Sequence, residues 1–94
     1  GTPLLLEHGD ADTTVPISGS RDAYARAKAP KFFVTLFGQT HGSAFGGGTK
    51  PSELVVETTT TAFLDRYLKD QAAALTRLQR DGNVPGVASL AATP

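Results

Sequence analysis

The chain predicts an α/β domain of βαβα order, with two parallel strands and covering helices. Three observations carry that prediction. Two short apolar runs, residues 2–8 and 31–37, are bounded by glycine or proline; each is followed by a stretch whose apolar residues recur at helical spacing; and most of the connections are short. Strand, helix, strand, helix is how a parallel sheet with crossover helices is written in sequence.

The first run, Leu4-Leu5-Leu6-Glu7-His8, breaks at Gly9-Asp10. Its hydrophobicity falls on consecutive residues, the pattern of a strand buried on both faces. Over residues 17–28, Ile17, Ala23, Tyr24 and Ala27 share one helical face while Ser18, Arg21, Asp22, Arg26 and Lys28 suit solvent. Ala29-Pro30 ends that helix, and the aromatic and β-branched run Lys31-Phe32-Phe33-Val34-Thr35-Leu36-Phe37 suits a pleated sheet before Gly38 stops it. Residues 38–50, with Gly38, Gly42 and Gly46-Gly47-Gly48, have the composition of a mobile rim. Pro51 fits a first helical position and Glu53 a first turn, after which Val56, Thr60, Phe63, Leu64 and Tyr67 mark a core-facing stripe. Residues 71–80 read as a further helix, and residues 83–94 as irregular. The domain reading is therefore a βαβα portion over 1–69 and an extra helix with an irregular tail over 70–94. Phe32, Phe33, Phe37, Phe63 and Tyr67 are expected in the core.

Two parallel strands alone make a poor domain. Further strands are expected beside these two, from a missing N-terminal part or from self-association as a homo-oligomer. The absence of Met, even at position 1, points the same way, to a chain that begins inside a longer product.

Composition narrows the function. Nine basic and nine acidic side chains cancel, so no large field directs the 94 residues to nucleic acid or an anionic surface. Zero cysteines exclude disulfides, thiolate metal sites and a Cys nucleophile. No apolar stretch approaches the roughly 20 residues that span a bilayer, so no membrane span is expected and the chain reads as soluble.

In open parallel sheets the loops leaving the carboxyl ends of the strands form the ligand crevice. Asp12 follows the first strand and His41 the second, so adjacent strands would bring the two together. A carboxylate accepting the histidine Nδ1 proton would leave Nε2 free to take a proton from a hydroxyl. Asp10 is the alternative acid, although both aspartates also suit turns. His8, ending an apolar strand, reads as a satisfied core histidine. The spacing of His8, Asp10, Asp12 and His41 matches no established metal-ligand pattern, and the glycine run lacks the context of a phosphate loop, so no metal and no cofactor is expected. Ser18, Ser20, Ser43, Ser52 and Ser89 all lack a nucleophile elbow; Ser43, near His41, reads as a loop residue, and Phe45 as either a lining of an acyl pocket or a loop anchor.

Gly9-Asp10-Ala11-Asp12-Thr13-Thr14-Val15-Pro16, a helix, a second strand, Gly38-Gln39-Thr40-His41 and a final amphipathic helix together resemble the C-terminal portion of an α/β-hydrolase. The resemblance covers residues 3–68. It implies a partial α/β-hydrolase fold in which Asp12 is the acid and His41 the base of a Ser-His-Asp triad for a small-molecule ester substrate. The chain contains no Gly-x-Ser-x-Gly, and in this family that element precedes the acid and histidine. The nucleophile and oxyanion hole would then lie upstream of Gly1, and the isolated chain would be inactive. The ending from Ala72 onward is similar to those of secreted bacterial esterases of the dienelactone-hydrolase or chlorophyllase-like kind. A rival expectation is a non-catalytic remnant that self-associates through exposed strand edges.

Overall fold

The computed structural model describes residues 2–94. Its elements are β1 (Leu4–Gly9), α1 (Ile17–Arg26), β2 (Lys31–Leu36), α2 (Pro51–Leu68), α3 (Ala74–Asp81) and β3 (Ala88–Thr93). β1 and β2 pair in parallel, Leu4 opposite Lys31 through Gly9 opposite Leu36, and β3 adds to the other side of β2 in antiparallel register. The sheet is therefore mixed, in the order β1-β2-β3.

Strand alternation assigns the two faces. On one, Leu5, Phe32, Val34, Leu36, Ala88 and Leu90 meet α2 and α3. Phe32, Ala62 and Leu78 form one buried cluster and Val34, Leu36, Ala44, Val55 and Ala88 another, with Leu5 and Leu90 packed against both. Phe32 is fully buried, its ring edge-on to Phe63 and tilted against Tyr67. On the other face α1 lies over β1 and β2: the Tyr24 ring meets Phe33 edge-to-face at 5.9 Å, and the Lys31 ammonium sits 4.5 Å above the Tyr24 ring. No residue of α1 is buried, so this second layer is thin.

The tail is a correction. Residues 83–94 are not irregular, because Val84-Pro85-Gly86-Val87 closes a β-turn, with Val87 N–H donating to the Val84 carbonyl at 2.9 Å and Gly86 at φ 75°. Proline at the second and glycine at the third position are what a type II turn requires. The turn sends β3 back along β2, so the extra neighbour of β2 comes from the chain itself. β1 has no strand on its outer side among the described residues, and Leu4 to His8 are each only half-buried.

Two smaller corrections concern the core. Phe37 is 38% exposed, since it lies past the end of β2. The buried stripe of α2 centres on Val55, Thr59 and Ala62, with Leu64 exposed. Thr59 is tolerated there because its hydroxyl donates to the Val55 carbonyl one turn back, at 2.6 Å. The Asp65–Arg77 pair at 3.0 Å ties α2 to α3 and holds the Asp65 carboxyl below the ordinary aspartate range.

Leu78 shows how far α3 belongs to the fold. It is fully buried between Phe32 and Ala62, so Leu78→Ala is expected to cost about 2–5 kcal/mol. That is a large share of the stability of a domain this small. Urea denaturation followed by circular dichroism should show the midpoint fall sharply.

Candidate active site

The loops that leave β1 and β2 emerge from the same end of the sheet because the strands are parallel and end in register at Gly9 and Leu36. The ladder continues past both strands: Asp10 N–H donates to the Leu36 carbonyl and Ala11 N–H to that of Gln39, each at 3.1 Å. Such an approach needs glycine at position 9, where a Cβ would overlap the Gln39 carbonyl. Asp10 adds a clamp, its Oδ1 accepting the Gly38 N–H at 2.7 Å. It therefore joins the loops and makes no contact with His41.

Asp12 and His41, separated by 29 positions, come together. His41 Nδ1 lies 2.9 Å from Asp12 Oδ2. An ionised carboxylate only accepts, so Nδ1 carries a hydrogen, and in the neutral ring Nε2 keeps a lone pair. Among the described residues nothing is hydrogen-bonded to Nε2, and the His41 side chain is 59% exposed. The Asp12 side chain is only 3% exposed. Its Oδ1 accepts N–H groups from Thr14 at 2.9 Å and Val15 at 2.8 Å, an Asx-type turn built by Asp12-Thr13-Thr14-Val15. Desolvation pushes the carboxyl up, but hydrogen bonds from Val15, His41 and Thr14 outweigh it and hold Asp12 below the usual aspartate range.

Local packing sets the histidine loop. The Ser43 hydroxyl accepts the Thr40 N–H at 2.9 Å and donates to Gln39 Oε1 at 2.7 Å, closing a turn around His41. Ala44 is buried in the core beside Val34, Leu36 and Val55, which anchors the loop three residues beyond the imidazole. The glycine run wraps the buried Glu53 carboxylate, which accepts N–H groups of Gly48 and Lys50, both at 3.2 Å. A Cβ on Gly46 or Gly48 would stand 2.7 Å from that carboxylate, so these glycines make room for an acid.

His8 is tied into the same site. Its Nε2 lies 2.7 Å from the Val15 carbonyl and 3.2 Å from Asp12 Oδ2, while Nδ1 meets Ser20 Oγ at 2.7 Å. Ser20, His8 and Asp12 thus share the residue types of a triad within this one chain. Ser20 does not line the cleft at the site, however, and the His8 side chain is 10% exposed. Ser20 is half-buried with its hydroxyl on His8 Nδ1, the place of a structural partner beside the cleft.

The cleft has a volume of about 430 Å³ and is lined by Glu7, His8, Asp12, Val15, His41 and Phe45 among others. Glu7 points across to α2, its Oε1 accepting from the Thr60 hydroxyl at 2.7 Å. Burial dominates at Glu7 and pushes its carboxyl above the ordinary range, against smaller lowering contributions from the Thr60 and Thr59 hydroxyls. Among the described residues no group of three or more His, Cys, Asp or Glu side chains is arranged to hold a metal ion, and no helix is long and apolar enough to cross a membrane.

The sequence reading missed the Ala44 anchor, the Glu53 wrap and the His8 contact to Asp12. Only the last had a signal, a histidine four residues before the acid. A scan against protein-family models and searches of curated proteins and of solved structures return no match for this chain.

Two predictions test this geometry. Gly9→Ala is expected to cost about 1–3 kcal/mol and to pull the loops apart. The check is loss of the hydrogen-bonded His41 Nδ1 proton in NMR spectra of the folded variant. The second concerns Glu7. A carboxyl whose folded pKa is raised contributes stability below its unfolded value and loses it as pH rises through the folded one. Glu7→Gln should therefore stabilise the chain at neutral pH, with the gain vanishing below about pH 4, where the carboxyl is protonated in the unfolded chain as well. Urea midpoints across that pH range would show it.

Proposed function

We propose that this chain is the acid-and-histidine portion of a serine α/β-hydrolase acting on carboxylic esters, with nucleophile and oxyanion donors supplied from outside these 94 residues. The observation that carries the reading is the Asp12–His41 pair: a shielded, ionised carboxylate on an exposed imidazole that keeps Nε2 free. In that mechanism Nε2 takes the proton of a serine hydroxyl as it attacks the ester carbonyl. Asp12 steadies the resulting imidazolium, which then protonates the departing alcohol. Phe45, half exposed at the cleft, would line the acyl side. Further support comes from the parallel β1-β2 pairing and from the element order up to α2, which agree with the resemblance carried by residues 3–68.

One observation favours a second reading. The outer edge of β1 carries no strand among the described residues, and a bare edge can pair with another copy of the chain. In that reading the chain is a remnant that self-associates and does no chemistry.

The readings separate by experiment. The isolated chain should take no label from a serine-reactive fluorophosphonate and should not turn over an activated ester. A polypeptide extended through the upstream coding sequence should contain Gly-x-Ser-x-Gly and hydrolyse esters. Asp12→Asn should then lower its kcat by about 10⁴-fold, and His41→Ala should reduce turnover to near background. Ester turnover that survives His41→Ala, or an upstream sequence without a serine elbow, would overturn the hydrolase reading. A stable unlabelled dimer in sedimentation would favour the remnant.

A further inference from the structure

We infer that His8 is a positioning residue for the acid, holding the Val15 end of the Asx-type turn that aims Asp12 Oδ2 at His41. Its catalytic meaning rests on the triad reading above, but its physical content is one imidazole that ties down the turn orienting the other.

The hydrogen-bond chemistry fixes each partner in turn. The Val15 carbonyl can only accept, so His8 Nε2, 2.7 Å away, carries the hydrogen. The same nitrogen lies 3.2 Å from Asp12 Oδ2, close to the carboxylate, while its hydrogen is directed at the Val15 carbonyl. His8 Nδ1 is then the acceptor in the neutral ring, and the Ser20 hydroxyl donates to it at 2.7 Å. The Val15 carbonyl therefore selects the tautomer of His8, and Ser20, in the first turns of α1, braces the other ring nitrogen, so that His8 holds the carbonyl of the acid loop.

The geometry explains why a second hold is needed. The Asx-type turn secures only Oδ1, through the Thr14 and Val15 N–H groups. Oδ2 is hydrogen-bonded to His41, whose ring is largely in solvent, whereas the His8 ring, 10% exposed, is fixed on the Val15 carbonyl. A shielded carboxylate has little water to replace a lost donor. Without His8, Val15, whose own N–H closes the turn on Oδ1, would lose the tie on its carbonyl, and the direction of Oδ2 would rest on the exposed His41 ring.

The test uses the full 94-residue chain and ¹⁵N-histidine NMR under mildly alkaline conditions. The native chain should show His41 as the Nδ1–H tautomer and His8 as the Nε2–H tautomer. His8→Leu, which removes both nitrogens at similar size, should shift His41 towards the Nε2–H form while the amide pattern of the sheet persists. His8→Gln places amide hydrogens where Nε2 stood and should restore the His41 signature. Should His8→Leu fail to fold, Ser20→Ala serves instead: loss of the brace on Nδ1 should loosen the His8 ring on the Val15 carbonyl and weaken the Nδ1–H signal of His41. A folded His8→Leu or Ser20→Ala chain with an unchanged His41 tautomer, or a His8→Gln chain no better than His8→Leu, would overturn the inference. That outcome leaves the hydrolase reading standing. Conversely, an inactive extended polypeptide would remove the hydrolase reading and leave the coupling between the two histidines intact.

Discussion

The site depends first on how closely the backbone of residue 39 approaches Gly9. Parallel strands that end in register send their following loops out of the same edge, but nearby loops need not touch. Here the ladder runs on through Asp10–Leu36 and Ala11–Gln39, and only a residue without a Cβ leaves room for it. Backbone hydrogen bonds thus set the separation of the loops before any side chain acts. The 2.9 Å contact between Asp12 and His41 follows from that spacing.

Two carboxyls five residues apart show what the loop does for the acid. Burial raises the proton affinity of both Glu7 and Asp12, yet their pKa values move in opposite directions. Glu7 faces α2, where hydroxyls are its partners and one of them, on Thr59, is already committed to the Val55 carbonyl at 2.6 Å. Asp12 faces its own turn, where two backbone N–H groups have no competing acceptor, and it adds the imidazole of His41. The number of donors decides the sign, and it leaves Asp12 charged at neutral pH. A charged acceptor in turn dictates which nitrogen of His41 holds the hydrogen.

Much of this was legible in the residues, and the failures have physical causes. Strand-like runs ending at glycine gave the two parallel strands, and the Asp12 turn and the His41 loop stood at their carboxyl ends. β3 escaped because Ala88-Ser89-Leu90-Ala91-Ala92-Thr93 has little β-branched or aromatic content; it is a strand because β2 offers an open ladder, and its signal was the Pro85-Gly86 turn before it. Ala44 escaped because an alanine in a glycine-rich loop looks inert, although its methyl group fills the core. The composition of residues 38–50 suggested loose backbone; Glu53 gathers part of it through Gly48 and Lys50 N–H groups. Helical spacing placed α2 correctly but set its buried stripe about one residue too far along, since periodicity gives a face without its centre.

Both edge strands of the sheet, β1 and β3, lack an outer neighbour among the described residues, and the cleft opens at the carboxyl end of β1. β3 covers the outer side of β2, and the deep core sits beneath β2, against α2 and α3. β1 lacks such a neighbour among the described residues and stays half-buried along most of its length. Glu7 and His8, which point to opposite faces of the sheet, both line the cleft together with Gly9, Asp12 and His41, so the cleft spans the carboxyl end of β1. A groove of about 410 Å³ between Phe45 and the Val56–Thr60 side of α2 lies next to it, and farther along α2 Leu64 and Leu68 are exposed. A parallel strand added beside β1 would cover its half-buried outer edge and send its own following loop out of the end of the sheet from which the Asp12 and His41 loops leave. The half-buried run Leu4–His8 and the exposed His41 ring lie towards the same end of the sheet, so a neighbour at that place would change strand burial and histidine environment together.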